Sequence, residues 1–362
     1  MDEPKIIINQ YFLKLISEID EFKGAWTASN NLSSEYLHGL RKTAALESVG
    51  SSCRIAGARL NDLEIENILL KLTSKSTKSL DEQVVAGYAE LIDIVLQTYE
   101  DFSLTENHIK QLHYTLLRRT DTDEHHRGEY KKLSNHIVAF NEKGKEIGIV
   151  LETAMPFDTA RVMHDLLHWT VKSFTEQKMH PVLIIAVFII EFLAIHPFQK
   201  GNGRLSRILT MILLLRTGYA YVPFSSLEKV IEENKDLYHR SLRRTQITLK
   251  SKHPDWEPWL TFLLNALKKQ QSNLAANMML KKLGVENKSK EKLLNDAALP
   301  TLSVCILKLL QHHERLTISE IVKTTAANQN TLKVRLKELV NSGRIQRYGK
   351  ARATWYALEN EE

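Results

Sequence analysis

Between two of the most apolar stretches of the chain stands the run His196-Pro197-Phe198-Gln199-Lys200-Gly201-Asn202-Gly203-Arg204-Leu205-Ser206-Arg207. Glycines feeding the start of a helix let backbone N–H groups approach an anion closely, and the helix dipole adds favourable potential at the same point. Arg204 and Arg207, three residues apart, share one face of the opening turn, where guanidinium forks can grip non-bridging phosphate oxygens. His196, at the far lip, is placed to exchange a proton near neutral pH. Each feature alone has an ordinary reading: a turn, a solvated arginine, a helix-capping histidine. Crowded into so short a run they point to phosphate chemistry with a proton transfer beside it. No G-x-x-x-x-G-K-[ST] pattern is present, so this is not a Walker loop.

The elements that must position the loop are legible on either side. Pro181 to Ala194 is apolar on every face, falls short of the roughly 20 residues a membrane span needs, and contains Glu191, so it reads as a buried helix. LSRILTMILLLRTG reads as a second helix, ending at Gly218. From Ile6 to about Arg119 apolar residues recur at helical spacing, as in Tyr11, Leu13, Leu15, Ile16, Ile19 and Leu63, Ile65, Ile68, Leu69, Leu70. Between Thr120 and Gly148 the pattern breaks into TDTDEHHRGEY and two short stretches, SNHIVAF and EIGIV, joined by NEKGK, which reads as a hairpin. Helices resume near Asp158 and continue through LEKVIEENKDLYHRSLRRTQ and DWEPWLTFLLNALKK. Gln270 to Ala298 is polar and rich in Lys and Asn, the composition of a connector.

Beyond it LSVCILKLLQHH, TISEIVKTT and NQNTLKVRLKELVNSG are followed by strands RIQRY and TWYAL, the order of a winged helix-turn-helix. Thr317-x-x-Glu320 and Asn328 supply N-cap chemistry, and Gly343 a stop. The expected fold is all-α: a helical core with a small β-hairpin, plus a C-terminal winged helix-turn-helix. Its expected divisions are a helical N-terminal region at 1–100, a core at 101–270, a connector at 271–298 and the winged helix at 299–362.

HPFQKGNGRLSR resembles the signature loop of the Fic family, H-P-F-x-[DE]-G-N-G-R-x-x-R, and departs from it only at the acidic position. RGEYKKLSNHIVAF is similar to that family's lead-in and β-hairpin flap, and the resemblance runs from about Ser51 to Leu267. It implies transfer of a nucleoside monophosphate, usually AMP from ATP, to a Ser, Thr or Tyr hydroxyl of a target protein. On that resemblance His196 is the general base. The N–H groups of Gly201 to Gly203 hold phosphate oxygens, Asn202 helps fix the α-phosphate, and Arg204 and Arg207 neutralise the β- and γ-phosphates. Leu133, Ser134, Asn135, His136, Ile137 and Val138 form the flap that pairs with the target segment. Tyr238 and Gln246 fall where family members line the adenine pocket.

Two departures bear on activity. Lys200 stands where the family has the acid that ligates Mg²⁺; an ammonium ~4 Å from a cation repels it by several kcal/mol at an effective dielectric of ~20, so no metal ligand is expected. Lys200 is expected to contact the phosphates itself as a point charge. The alternative is a Fic scaffold that has lost its metal site and works as a DNA-binding or regulatory module. The segment Ser51-Ser52-Cys53-Arg54-Ile55-Ala56-Gly57 resembles the family's inhibitory motif [ST]-x-x-x-E-[GN], with Ser52 and Gly57 in place and Ala56 at the glutamate position. That glutamate pairs, in the family, with the second motif arginine, here Arg207; a methyl group cannot. Glu47 lies in a displaced near-match, TAALES.

The formal net charge is +6, compatible with phosphate-bearing partners. The tail from Leu299 onward carries ten basic against six acidic residues. Asn328, Gln329, Asn330, Lys333 and Arg335 would open its recognition helix, and Arg347, Lys350 and Arg352 would lie on the wing, where they reach DNA bases or phosphates. Winged helices also serve as dimer contacts, so a homodimer is the other expected partner. Cys53 and Cys305 are far apart, which encodes neither a disulfide framework nor a zinc site. The pairs His125-His126 and His312-His313 cannot share a helix face. The start MDEPKIIINQ has acids where a secretory signal has a basic region, so a cytoplasmic protein is expected.

Overall fold

The computed structural model describes residues 3–29, 32–70, 79–140 and 146–282, and, in the C-terminal part, 303, 306–307, 309–310, 315–325, 329–349 and 354–358. The chain separates into two compact units, Met1–Met279 and Leu280–Glu362. The first unit runs α1 (Gln10–Ala28), α2 (Ser34–Ile55), α3 (Asp62–Leu70), α4 (Leu80–Thr98), α5 (Glu106–Leu117), β1 (Ile137–Phe140), β2 (Glu146–Leu151), α6 (Thr159–Glu176), α7 (Pro181–Ile195), α8 (Asn202–Arg216), α9 (Leu227–Glu233), α10 (Lys235–Gln246) and α11 (Glu257–Lys282), whose last residues, from Leu280, fall in the second.

Helix α7 is rich in Ile and Val, which are only middling helix formers, so burial rather than propensity holds it. Val182 through Ile190, then Phe192 and Leu193, are all buried, and each large apolar side chain removed from water contributes roughly 1.5–3 kcal/mol. Pro181 sits at its first turn, and His180 accepts the Val182 N–H at 3.4 Å. α8 is buried along the same length and packs against α7; α6 and α10 close over α7 from other sides. Trp259 of α11 donates its Nε1–H to the Ala186 carbonyl at 2.7 Å. Ser79 and Glu82 form a reciprocal capping box that starts α4.

Phe12, Leu15, Ile16 and Ile19 of α1 join this same core, while Tyr11 and Leu13 stay exposed. The stretch LEKVIEENKDLYHRSLRRTQ, expected to be continuous, is broken at Asn234, whose backbone leaves the helical region and whose Nδ2 donates to Val230 O at 2.9 Å. α11 runs on to Lys282 because Gln270, Gln271 and Leu274 are buried against the core; the rest of the expected connector lies outside the described residues. The hairpin β1–β2 is antiparallel, pairing Ile137 with Leu151 and Val138 with Ile149, with register shifts along it. Residues 141–145 between the strands lie outside the described ones.

In the second unit, helix Ile318–Thr325 begins at Thr317, which exchanges hydrogen bonds with Glu320. Helix Gln329–Asn341 ends before Gly343, at φ +67°. Strands β4 (Ile345–Tyr348) and β5 (Trp355–Leu358) form the expected wing. A third strand, β3 (Leu316–Thr317), joins them in the order β3-β5-β4; two residues are too few to show a period in sequence. Ile306, Leu310, Ile321, Leu332, Leu336 and Ile345 make a separate core. Among the described residues no helix is long and apolar enough to cross a membrane.

α4 and α5 meet closely at Gly87, where an added Cβ would stand 2.5 Å from the Leu116 carbonyl oxygen. That backbone oxygen cannot rotate away, so Gly87→Ala is expected to lower stability by about 1–3 kcal/mol, read as a lower thermal midpoint.

Candidate active site

The loop from His196 to Gly201 is tied to its surroundings almost residue by residue. Asn202, 1% exposed, accepts the Phe198 N–H at 2.9 Å and donates Nδ2 to the Phe198 carbonyl at 2.7 Å, closing the loop upon the first residue of α8. Lys131 N–H donates to Pro197 O at 2.8 Å, and Asn135 Nδ2 to Phe198 O at 2.7 Å. His113 of α5, fully buried, accepts the Gly128 N–H at Nδ1 and therefore carries its proton on Nε2, which donates to Lys200 O at 2.9 Å. Its ring stacks on Phe198 with centroids 3.8 Å apart. Gly201 has φ +83°, and a Cβ there would crowd Leu116 at 3.3 Å. The N–H groups that open α8 have no acceptors within the helix, which leaves them for a ligand.

His196 caps α7 in the left-handed region at φ +52°, a conformation that costs a non-glycine residue of order 1–3 kcal/mol and collects at working sites. Its ring Nδ1 lies 3.4 Å from Leu193 O. With Nδ1–H turned to that carbonyl, Nε2 keeps its lone pair. Burial pulls the imidazole down to about 4, with the Lys131 ammonium adding to the same effect, so it is neutral throughout the physiological range. Lys131 is itself buried, donating to Asn135 Oδ1, Thr153 Oγ1 and Ile195 O, and its desolvation brings it down to about 8.

Arg204, on the first turn of α8, is 8% exposed, and its Nη1 is buried with no hydrogen-bond partner among the described residues. Desolvation lowers its pKa. A buried guanidinium left short of a partner is costly, and an anion is what would complete it. Arg207 is differently placed. Its fork is taken by α2, with Nε donating to Ser52 Oγ at 2.8 Å and Nη2 to Ser52 O at 2.9 Å. Ala56, the α2 C-cap, is exposed and offers no carboxylate; Gly57 follows at φ +106°. Glu47 is ion-paired with Lys229 and so committed elsewhere.

Lys200 projects its ammonium to Asp123, Nζ to Oδ1 2.7 Å. That position holds a cation-repelling group, and the donor set does not suit the magnesium ion that the resemblance implies. No three His, Cys, Asp or Glu side chains converge on a metal position among the described residues.

Of the flap residues, Asn135 and His136 turn inward. Asn135 bonds the loop, and His136 Nδ1 accepts the Thr153 N–H at 3.1 Å. Leu133 and Ser134 remain exposed, Ile137 is half-buried, and Val138 of β1 pairs with Ile149 of β2. Tyr238 is buried against Trp259 and Phe262; burial raises its pKa, and the Arg207 charge opposes that rise. Gln246 is buried at the end of the same helix. In the second unit Lys333 and Arg347 are exposed, and Arg335 pairs with Glu338 at 2.8 Å. Asn328, Lys350 and Arg352 lie outside the described residues, as do the side chains of Gln329 and Asn330.

The Fic/DOC family model matches residues 103–214, a span that begins before α5 and ends inside α8. These residues form a Fic domain. A winged helix-turn-helix DNA-binding model matches residues 306–346. The chain is similar to the protein adenylyltransferase Fic of Drosophila mojavensis, 27% identical over 206 residues, covering 56% of this chain and 38% of that one. The protein of the same name from Drosophila virilis is 27% identical over 208 residues, 57% of this chain and 40% of the other, so the chain spans about two fifths of these relatives. A crystal structure of a Fic family protein from Desulfovibrio desulfuricans G20 shares the fold, with TM-score 0.58 at 20% identity, covering 100% of this chain and 99% of that one. Fic-1 from C. elegans gives 0.58 at 16%, over 75% and 74% of the two chains.

Three contacts within the Fic domain, those of His113, Asp123 and Lys131, were not expected from sequence, Asp123 reading only as part of the charged turn TDTDEHHRGEY. His113 sits in an amphipathic helix as any core residue would, and nothing in its spacing points to Gly201. Lys131 alone had a signal, as the residue after Tyr130 in the lead-in to the flap.

Burial holds His113 at about 4 against an ordinary 6.5. Its desolvated ring refuses the proton that the unfolded chain takes up, so stability is whole above the ordinary value and falls as pH drops from 6.5 toward 4. The full shift is worth on the order of 3 kcal/mol. His113→Asn is expected to lower the melting temperature at neutral pH and to flatten its fall with acid; an unchanged acid slope would remove His113 as its source.

Proposed function

We propose that the Fic domain transfers a nucleoside monophosphate, AMP from ATP in the first instance, to a hydroxyl side chain of a target protein. The observation that carries this reading is the buried, partner-short guanidinium of Arg204 on the first turn of α8, beside free backbone N–H groups and a neutral imidazole at the other end of the same loop. An anion completes Arg204, and the N–H groups of Gly201 to Gly203 hold phosphate oxygens.

In the proposed step His196 Nε2 accepts the proton of the target hydroxyl. The hydroxyl oxygen forms a bond to the α-phosphorus, and the bond from that phosphorus to the bridging oxygen of the β-phosphate breaks. The bonding pair leaves with pyrophosphate, and the target carries the nucleotide as a phosphodiester. Asn202 keeps the loop closed and presents its remaining amide hydrogen; Arg207 stabilises charge on the outer phosphates once released from Ser52. The exposed Leu133 and Ser134, with the β1 backbone, receive the target segment as an added strand. Tyr238 and Gln246 border the base.

The test offers a cell lysate and the full chain each α-labelled nucleoside triphosphate in turn. The wild type is expected to label a protein, and His196→Ala to lower labelling by about 10²–10⁴-fold, the usual worth of a general base. Labelling that survives in His196→Ala would remove its role. With the base titrating at about 4, the rate is expected to stay level as pH is lowered from 8 to about 5 and to fall only below that.

A second reading, DNA binding by the C-terminal unit, is favoured by the match to a winged helix-turn-helix DNA-binding model. Exposed Lys333 and Arg347 would contact phosphates. Fluorescence anisotropy with a labelled duplex is expected to show affinity falling steeply with salt, with a shallower salt dependence in Arg347→Ala; no salt-sensitive binding would exclude the reading.

A further inference from the structure

We infer that Lys200, positioned by Asp123, is a built-in cationic clamp for the nucleotide's phosphates, so that this chain binds its nucleotide without a divalent cation. The inference rests on the nucleotide-transfer reading above and deepens it by naming what occupies the metal's place.

Lys200 is tied by its backbone, and its ammonium meets Asp123 as an ion pair without the alignment of a hydrogen bond. Its carbonyl accepts the His113 Nε2–H at 2.9 Å, and its ammonium lies 2.7 Å from Asp123 Oδ1. The two side chains differ sharply in exposure, 55% for Lys200 and 6% for Asp123, so the carboxylate is sunk in the protein while the ammonium keeps donors toward solvent. An ammonium has three hydrogens, and one ion pair does not exhaust them.

Asp123 is held in turn. It sits in the 3-10 stretch Asp121–His126, with its N–H donating to Thr120 O at 3.1 Å. The stretch is tied to α4 by Gln83, whose Nε2 donates to Asp121 Oδ2 at 2.7 Å and whose Oε1 accepts the Asp121 N–H at 3.2 Å. A half-exposed ion pair adds little to stability, and burying a carboxylate to make one is costly, so the pair is better explained by aiming Lys200 than by holding the fold.

One turn further on stands Arg204, whose Nη1 has no hydrogen-bond partner among the described residues and whose charge the Asp123 carboxylate favours. Asp123 therefore acts on both cations, through an ion pair with Lys200 and a weaker field at Arg204. An acid carrying a divalent ion and a lysine carrying none present the same single positive charge to a polyphosphate. The substitution at 200 thus keeps the charge and dispenses with the ion.

The experiment measures ATP binding to the full chain by calorimetry, in EDTA and in excess magnesium, with no target protein present. The wild type is expected to bind metal-free ATP within about twofold of its affinity for the magnesium complex. Lys200→Met is expected to weaken metal-free binding about 10-fold, the worth of a charge-assisted contact. Asp123→Asn keeps the ammonium but loses its aim, and is expected to cost about threefold. Lys200→Asp is expected to bind well only when magnesium is supplied, a reversal that general loosening of the fold would not produce. Each variant is compared with the wild type by its melting temperature. Wild-type binding that tightens 10-fold or more with magnesium overturns the clamp and leaves the transfer reading standing. So does unchanged metal-free binding in folded Lys200→Met and Asp123→Asn. Failure of the wild type to bind ATP, or any other nucleoside triphosphate, in either buffer overturns both.

Discussion

The reciprocal pair between the Asn202 amide and the Phe198 backbone is the constraint on which the rest of the site depends. It fastens the end of one buried helix's exit loop to the start of the next, and so fixes the distance between a histidine at the C-terminus of α7 and a helix N-terminus that can receive anions. Phe198 cannot drift, because its ring is stacked on His113 and its carbonyl is also held by Asn135. A loop whose backbone acceptors are met by protein presents its N–H groups outward. Its rigidity is therefore also its specificity: the donors are aimed before a ligand arrives, and no reorganisation is needed when charge develops.

Burial does the remaining electrostatic work, disfavouring the charged form of two groups with different outcomes. It strips the proton from His196, leaving a base, and it leaves Arg204 charged but short of partners, which makes an anion welcome. Both effects follow from α7 and α8 being almost wholly enclosed. The same enclosure explains why helices of such apolar composition can carry a polar loop between them. Arg207 shows the alternative fate of a cation in this setting: α2 satisfies it through a hydroxyl and a carbonyl, where the motif that Ser51 to Gly57 resembles would offer a carboxylate. The neutral contact is weaker than an ion pair, so displacing it by phosphate costs less.

The glycine- and arginine-bearing loop before α8, the hairpin and the helical class were legible in the sequence because each rests on local patterns: glycines beside arginines, alternation around a turn, apolar periodicity. The winged helix was legible for the same reason, through its capping residues. What escaped depends on contacts between distant parts of the chain. His113 touches a loop 87 residues away, and its spacing in α5 is that of any buried residue. Asp123 read as part of a charged turn, and only folding brings it to Lys200. The α9–α10 break at Asn234 was hidden because both halves are helical and the residue breaks them by a local side-chain bond. Asn135 and His136 were expected to face a target; the inward bonds they make instead follow from the hairpin's docking on the loop, which no strand pattern encodes.

On the proposed function this loop seats a nucleotide's phosphates within reach of His196. A crystal structure of the protein with an ATP analogue whose α–β bridge cannot be cleaved tests it most directly. The expected complex has phosphate oxygens on the N–H groups of Gly201 to Gly203, Arg204 Nη1 paired with one of them, and the α-phosphorus open on the side of His196 Nε2. A nucleotide bound elsewhere, with Arg204 still unpaired, would contradict it.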